Sequence, residues 1–279
     1  MILHTYSKLP LFGAALALAA GMSSCDNVEP ADRYIEVPRP EIARKVLIQE
    51  FTGIQCVNCP TGALTVHELQ EQYPGSIIAV GMHPSGTPYS GPVGKFDLNS
   101  AEADIYYAFY KPMGFPAAVV DGQSAEINIS AWGGLVNAAL SQAAPAEISL
   151  ENVYDASTRT LTVDYEVTFN SGYSSNLRMN LWLVESGIVG PQKSGSIWVR
   201  DYVHNHVLRE SLTGDWGESL GSSFHLDDSV SGTASIKLSE DYVAENCAIV
   251  AFIQNDARLV EQCEEAPVIK SADDSTPEE

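Results

Sequence analysis

The chain has 279 residues, 45% of them hydrophobic and 18% charged, a globular composition that excludes wholesale disorder and collagen-like or coiled-coil rods. With 36 acidic against 15 basic residues, the formal charge of −21 repels phosphate backbones and argues against nucleic-acid binding. There is one long apolar run, at the N-terminus, so a multi-pass membrane protein is excluded.

Residues 1–24 hold a single basic residue, Lys8, and no acid. The apolar run 9–20 is shorter than the roughly 20 residues that span a bilayer, and it leads into small residues, as in a secretory signal. Gly21-Met22-Ser23-Ser24-Cys25 resembles a bacterial lipobox, which implies cleavage before Cys25 and acylation of its thiol. The following stretch to 44, with Pro30, Pro38 and Pro40 and little apolar periodicity, is predicted to be a tether.

A buried strand is predicted over 45–51, stopped by Thr52-Gly53. Cys56-Val57-Asn58-Cys59-Pro60 follows, with the proline in the first turn of a helix whose stripe is Ala63, Val66, Leu69 and Tyr73. Pro74-Gly75 ends that helix. A second strand is expected over 76–82, a Gly/Pro-rich loop over 83–94, a helix over 98–110 and a strand over 117–120 after Gly114-Phe115-Pro116. A short strand at 124–127 and a helix over 129–142 complete an α/β unit, 45–144.

After Pro145 the period changes. Leu161, Val163, Tyr165, Val167 and Phe169 alternate with polar residues, and Leu177, Met179, Leu181 and Leu183 recur at the same spacing of two. Further strand-like runs lie at 146–152, 204–212, 233–238, 248–254 and 258–263, which predicts an all-β sandwich over 145–270. Residues 271–279 form an acidic tail.

The chemistry concentrates at Cys56 and Cys59. A helix N-terminus carries unpaired N–H groups and partial positive charge, which stabilise a thiolate, the nucleophile of disulfide exchange. Cys56 is the expected, more exposed attacker and Cys59 the resolving thiol. A bridge across two residues gains little from loop closure, so its use as a mere staple is the weaker reading. The remaining pair, Cys247 and Cys263, is expected to form a structural disulfide: a hairpin centred on Asn255 places positions summing to about 510 opposite one another, and an exported chain favours pairing. A zinc site from all four thiols has the wrong spacing in its second pair.

Strand, CxxC, helix and a later Phe115-Pro116 resemble the thioredoxin superfamily. The resemblance implies that Glu50, six residues before Cys56, is a buried proton acceptor, and that Pro116 is a cis-proline beside the dithiol that docks substrate backbone. Gln55 stands where that family usually has Trp, and Val57-Asn58 where Gly-Pro is common. Over nearly the whole mature chain, the sequence around Val46 to Pro60, Gly114-Phe115-Pro116, the segment from Asp201 to Arg209 and that from Ala248 to Gln254 are similar to the outer-membrane protein 28 related lipoproteins of Bacteroidetes. This implies an exported, lipid-anchored protein with a thioredoxin-like domain followed by an all-β domain.

His204 and His206, with His225, are a weak candidate metal set, and no metal or cofactor is expected. CxxC-Pro also resembles copper chaperones of the same fold, for which His83 is the candidate distal ligand. Trp182, Trp198 and Trp216 are candidates for a ligand surface, with packing the simpler role. The expected function is an envelope thiol–disulfide oxidoreductase acting on protein thiols or disulfides. The alternative is a surface lipoprotein binding module with a redox-inert thioredoxin-like domain.

Overall fold

The computed structural model of the protein describes residues 42–270. The expected signal peptide, Cys25, the expected tether up to 41 and the acidic tail expected at 271–279 lie outside the described residues. Among the described residues the order begins β1 (Val46–Phe51), α1 (Cys59–Gln72), β2 (Ile77–Met82), α2 (Ala101–Tyr110), β3 (Ala117–Val120) and α3 (Trp132–Leu140). It continues with β4 (Ala146–Asp155), β5 (Thr160–Phe169), β6 (Leu177–Glu185), β7 (Ile188–Ser194), β8 (Ile197–His204) and β9 (Val207–Ser211). The last strands are β10 (Glu218–Gly221), β11 (Ser229–Lys237), β12 (Cys247–Asn255) and β13 (Val260–Pro267). The protein is mixed α/β. The short strand expected at 124–127 is instead a single bridge between Ala118 and Glu126.

The main sheet has eight strands in the order β13-β12-β6-β9-β2-β1-β3, with β10 paired to β6. β1 and β2 are parallel and wholly buried, β2 as a continuous apolar run and β1 with the polar Gln49 and Glu50 buried among its apolar residues, and β3 is antiparallel to β1. Strands from both sides of the expected boundary near Ala144-Pro145 share this sheet. The junction is at Gly81, whose N–H donates to the His206 carbonyl at 2.8 Å. Without β9 the outer side of β2 would be an open edge. The two ends of the sheet also meet, because Val260 N–H donates to Asp121 O at 3.0 Å and Arg44 pairs with Asp121 at 2.5 Å.

Alternation sorts the core. Leu47 and Phe51 of β1, Trp182 and Val184 of β6 and Val250 and Phe252 of β12 face α2, through Ala103 and Tyr106. On the other face, Val46 and Ile48 meet Val66 and Leu69 of α1 and Trp132 and Val136 of α3. Leu177, Met179, Leu181 and Leu183 on that side meet the three-stranded sheet β11-β5-β4. Trp182 is therefore core, Trp216 is half-buried against Tyr106, and Trp198 is exposed on the separate β7–β8 hairpin.

The expected Cys247–Cys263 disulfide is absent; both are buried free thiols. The hairpin exists, but its register pairs Phe252 with Cys263 and Ala248 with Pro267. The turn closes from Asn255 to Leu259, shifting the pairing beyond the symmetric turn expected. Cys263 thus lies five positions, about 16 Å, along the strand from Cys247, whereas a bridge needs Cα atoms within about 7 Å. The two thiols also point into different cores. Burial pushes the Cys247 thiol up to about 12 and the Cys263 thiol well above its ordinary value, so neither is reactive.

Candidate functional site

Cys56 and Cys59 form a disulfide with Cα atoms 5.4 Å apart. Cys59 opens α1, Asn58 is its N-cap without a side-chain cap, and Pro60 occupies the first turn, where no N–H is needed. The loop before the helix is tied on two sides. From 84–94, the Tyr89 carbonyl accepts from Gln55 N at 2.8 Å and the Gly91 carbonyl accepts from Gln55 Nε2 at 2.9 Å. From β7, Gln192 Nε2 donates to the carbonyls of Gly53 (3.2 Å) and Cys56 (3.0 Å), and Lys193 N donates to Ile54 O at 2.8 Å. Gly195 N donates to Val57 O at 3.0 Å. The hairpin straps the loop, and this is why Cys56 is not the more exposed sulfur expected from sequence: each cysteine is 2% exposed.

Glu50, the penultimate residue of β1, lies beneath α1 and is 6% exposed. Its Oε1 has no hydrogen-bond partner, and burial raises its carboxyl to about 8. Gly62 makes the close approach possible. A Cβ there would lie 2.7 Å from Glu50 Oε1 and 2.9 Å from Pro116 Cβ. Glu50 and Pro116 therefore meet under the same turn of α1, and the Phe115–Pro116 peptide is cis. On the far side, Asn58, Thr61, Gly114, Phe115, Pro116 and Ile127 line a shallow groove of 290 Å³.

A deeper cleft of 460 Å³ lies between α1 and the turn from β8 to β9; Glu50, Cys59, His83, Gln192, Tyr202 and His204 are on its walls. His83, just after β2, is 3% exposed and His204, ending β8, is 5% exposed. Their rings lie 6.1 Å apart. Burial lowers His83 to about 3, helped by His204 and Arg209, and lowers His204 to about 4. His206 also borders the cleft and is lowered by burial. The expected His204–His206–His225 set is not assembled: His225 is exposed and bonds Asp228, while His83 takes its place beside His204. Among the described residues no group of three His, Cys, Asp or Glu is arranged to hold a metal ion. Sequence reasoning missed Gln192 and Tyr202 as site residues, since no local pattern brings β7 and β8 to the dithiol.

Fold and site together define a mixed α/β protein whose helix-terminal cystine is backed by a buried carboxyl and a cis-proline and covered by a β hairpin. The family model for Outer membrane protein Omp28 matches residues 103–271. The chain belongs to that family and is an outer-membrane lipoprotein of the cell envelope. Among the described residues no helix is long and apolar enough to cross a membrane. Among solved structures, HBP35 of Porphyromonas gingivalis aligns over 86% of this chain and 80% of its own, at 17% identity and a TM-score of 0.65, and shares the fold. A domain of the outer membrane lipoprotein Omp28 from Porphyromonas gingivalis aligns over 45% of this chain and 88% of its own, at 20% identity and a TM-score of 0.33. A search of curated proteins finds no match.

Proposed function

We propose that the protein is a lipid-anchored thiol–disulfide oxidoreductase of the envelope, held to the membrane through Cys25 and acting on protein thiols or disulfides. In this reading residues 45–144 are a thioredoxin-like unit and residues 145–270 a β-sandwich grown onto its sheet. Cys56 is the sulfur attacked by substrate, Cys59 the leaving and resolving thiol, Glu50 its proton partner and Pro116 the substrate-docking residue. One observation carries the reading: the unpartnered Glu50 carboxyl and Cys59 border the same cleft, while Pro116 touches the other side of the same helical turn. A carboxyl held neutral near pH 7 is a suitable acid for a departing thiolate.

The test is a redox titration of Cys56/Cys59 together with trapping. Cys59→Ser should accumulate mixed disulfides with envelope proteins on non-reducing gels, and Cys56→Ser should not. A dithiol that small reductants cannot open, and a Cys59→Ser protein that traps nothing, would remove the enzyme reading. The second reading, a binding module with an inert cystine, is favoured by the burial of both sulfurs under the β7–β8 strap.

A further inference from the structure

Three buried polar atoms border the 460 Å³ cleft without a hydrogen-bond partner: Glu50 Oε1, His83 Nδ1 and His204 Nε2. Buried polar groups are nearly always paired, and three orphans around one polar space are the signature of bound water. The rings of His83 and His204 lie edge to face with centroids 6.1 Å apart, and each carries one buried nitrogen without a partner. The cleft reaches the surface along α1, past the exposed Leu64 and His67. We propose that this cleft is a water-filled proton path in which His83 and His204 connect the Glu50 carboxyl to solvent while the Cys56–Cys59 bond opens and closes.

The inference rests on the dithiol reading and adds to it the route of the proton. In reduction, a thiolate of an incoming dithiol attacks Cys56 Sγ. The Cys56–Cys59 bond breaks and its electron pair leaves on Cys59 Sγ, which takes the proton of the neutral Glu50. The second thiol of the reductant, as thiolate, then attacks the mixed disulfide and releases Cys56 as thiolate, leaving the reductant as its own disulfide. Glu50 is left ionised in a buried site and must regain a proton. The groups around the cleft are Cys59 and His67 of α1, His83 after β2, and Tyr202, His204 and His206 around the turn from β8. Burial keeps His83 and His204 neutral. A neutral imidazole accepts a proton on one nitrogen and releases one from the other, so it relays without resting as a cation.

The test follows reduction of the full-length oxidised protein by dithiothreitol at pH 7, a reaction that needs no knowledge of the natural partner. His83→Ala and His204→Ala should each slow reduction about tenfold or more. The reduction potential should stay unchanged, and added imidazole should restore the rate. Unchanged rates, or slowing that imidazole does not relieve and that comes with a shifted potential, would overturn the path. A proton inventory in mixed H₂O and D₂O needs no variant. It should be curved, for several protons in flight, and a linear inventory overturns the relay. A wild-type disulfide that dithiothreitol cannot open would instead sink the oxidoreductase reading itself, which separates the two failures.

Discussion

Replacing Glu50 with Gln keeps the shape of the side chain and removes its ionisation. The carboxyl is raised from 4.5 to about 8 by burial. Because the folded value is the higher one, the stability that the neutral carboxyl contributes is fully present below about pH 4.5 and is lost as pH rises through about 8. At about 1.4 kcal/mol per unit, the loss amounts to about 3 kcal/mol at pH 7 and about 5 kcal/mol above pH 8. Glu50→Gln escapes it, so the variant should gain on the wild type by those amounts as pH rises. The assay is urea unfolding of both oxidised proteins from pH 4 to pH 9, read as the difference between them. Subtraction removes the other buried groups. His83 and His204, with lowered values, act in the opposite sense: their stability is present above about 6.5 and lost as pH falls towards 3 to 4. Asp121 and Glu265, raised by burial to about 6 and about 7, cancel as well. A difference that stays flat within about 1 kcal/mol between pH 5 and pH 9 would refute the buried, unpartnered state of Glu50.

Three further outcomes follow from the same geometry. Gly62→Ala gains about 1 kcal/mol of helix propensity but drives a methyl into Pro116 Cβ and Glu50 Oε1. Overpacking should win, with a net loss of about 1–3 kcal/mol in urea unfolding. Gln192→Ala unpairs the carbonyls of Gly53 and Cys56. It should cost about 1–3 kcal/mol, and the reduced Cys56 should alkylate faster than in the wild type. Thiol counting on unreduced protein should find Cys247 and Cys263 free after denaturation and unreactive before it.

The parts legible in the sequence are those set by local periodicity. β1, β2 and β3 are short apolar runs bounded by turn residues, and α1 announces itself by Pro60 and its stripe. β5 shows strict alternation, and β6 starts with it before the continuous apolar run Leu181-Trp182-Leu183-Val184. β7 was not legible because Gly190 and Pro191 interrupt it, and β8, with Arg200-Asp201 in its middle, has no clean apolar face. The hairpin of Cys247 and Cys263 was readable but its register was not. A turn from Asn255 to Leu259 moves every cross-strand partner, and a buried thiol gives no clue to which neighbour it meets. The position of Glu50 came from its spacing to Cys56. Its burial depends on Gly62 and Pro116, far apart in sequence and adjacent only after folding.

The least legible feature is also the one with most bearing on function. Both halves of the chain build the dithiol site. β1, α1 and β2 supply the cystine, Glu50 and His83, while Gln192, Tyr202 and His204 come from beyond residue 145. The β9 strand closes the edge of β2 at Gly81, and the turn that leads into it from β8 carries the wall of the cleft. Cutting the chain at 144 would open that edge, remove the strap over the Cys56 loop and take away the cleft wall that shields Glu50 from bulk solvent. The carboxyl would then lose the burial that holds its proton, and its value would fall towards 4.5. A 45–144 fragment would therefore carry a different site, because the second half of the chain holds the Cys56 loop through Gln192 and walls the cleft through His204.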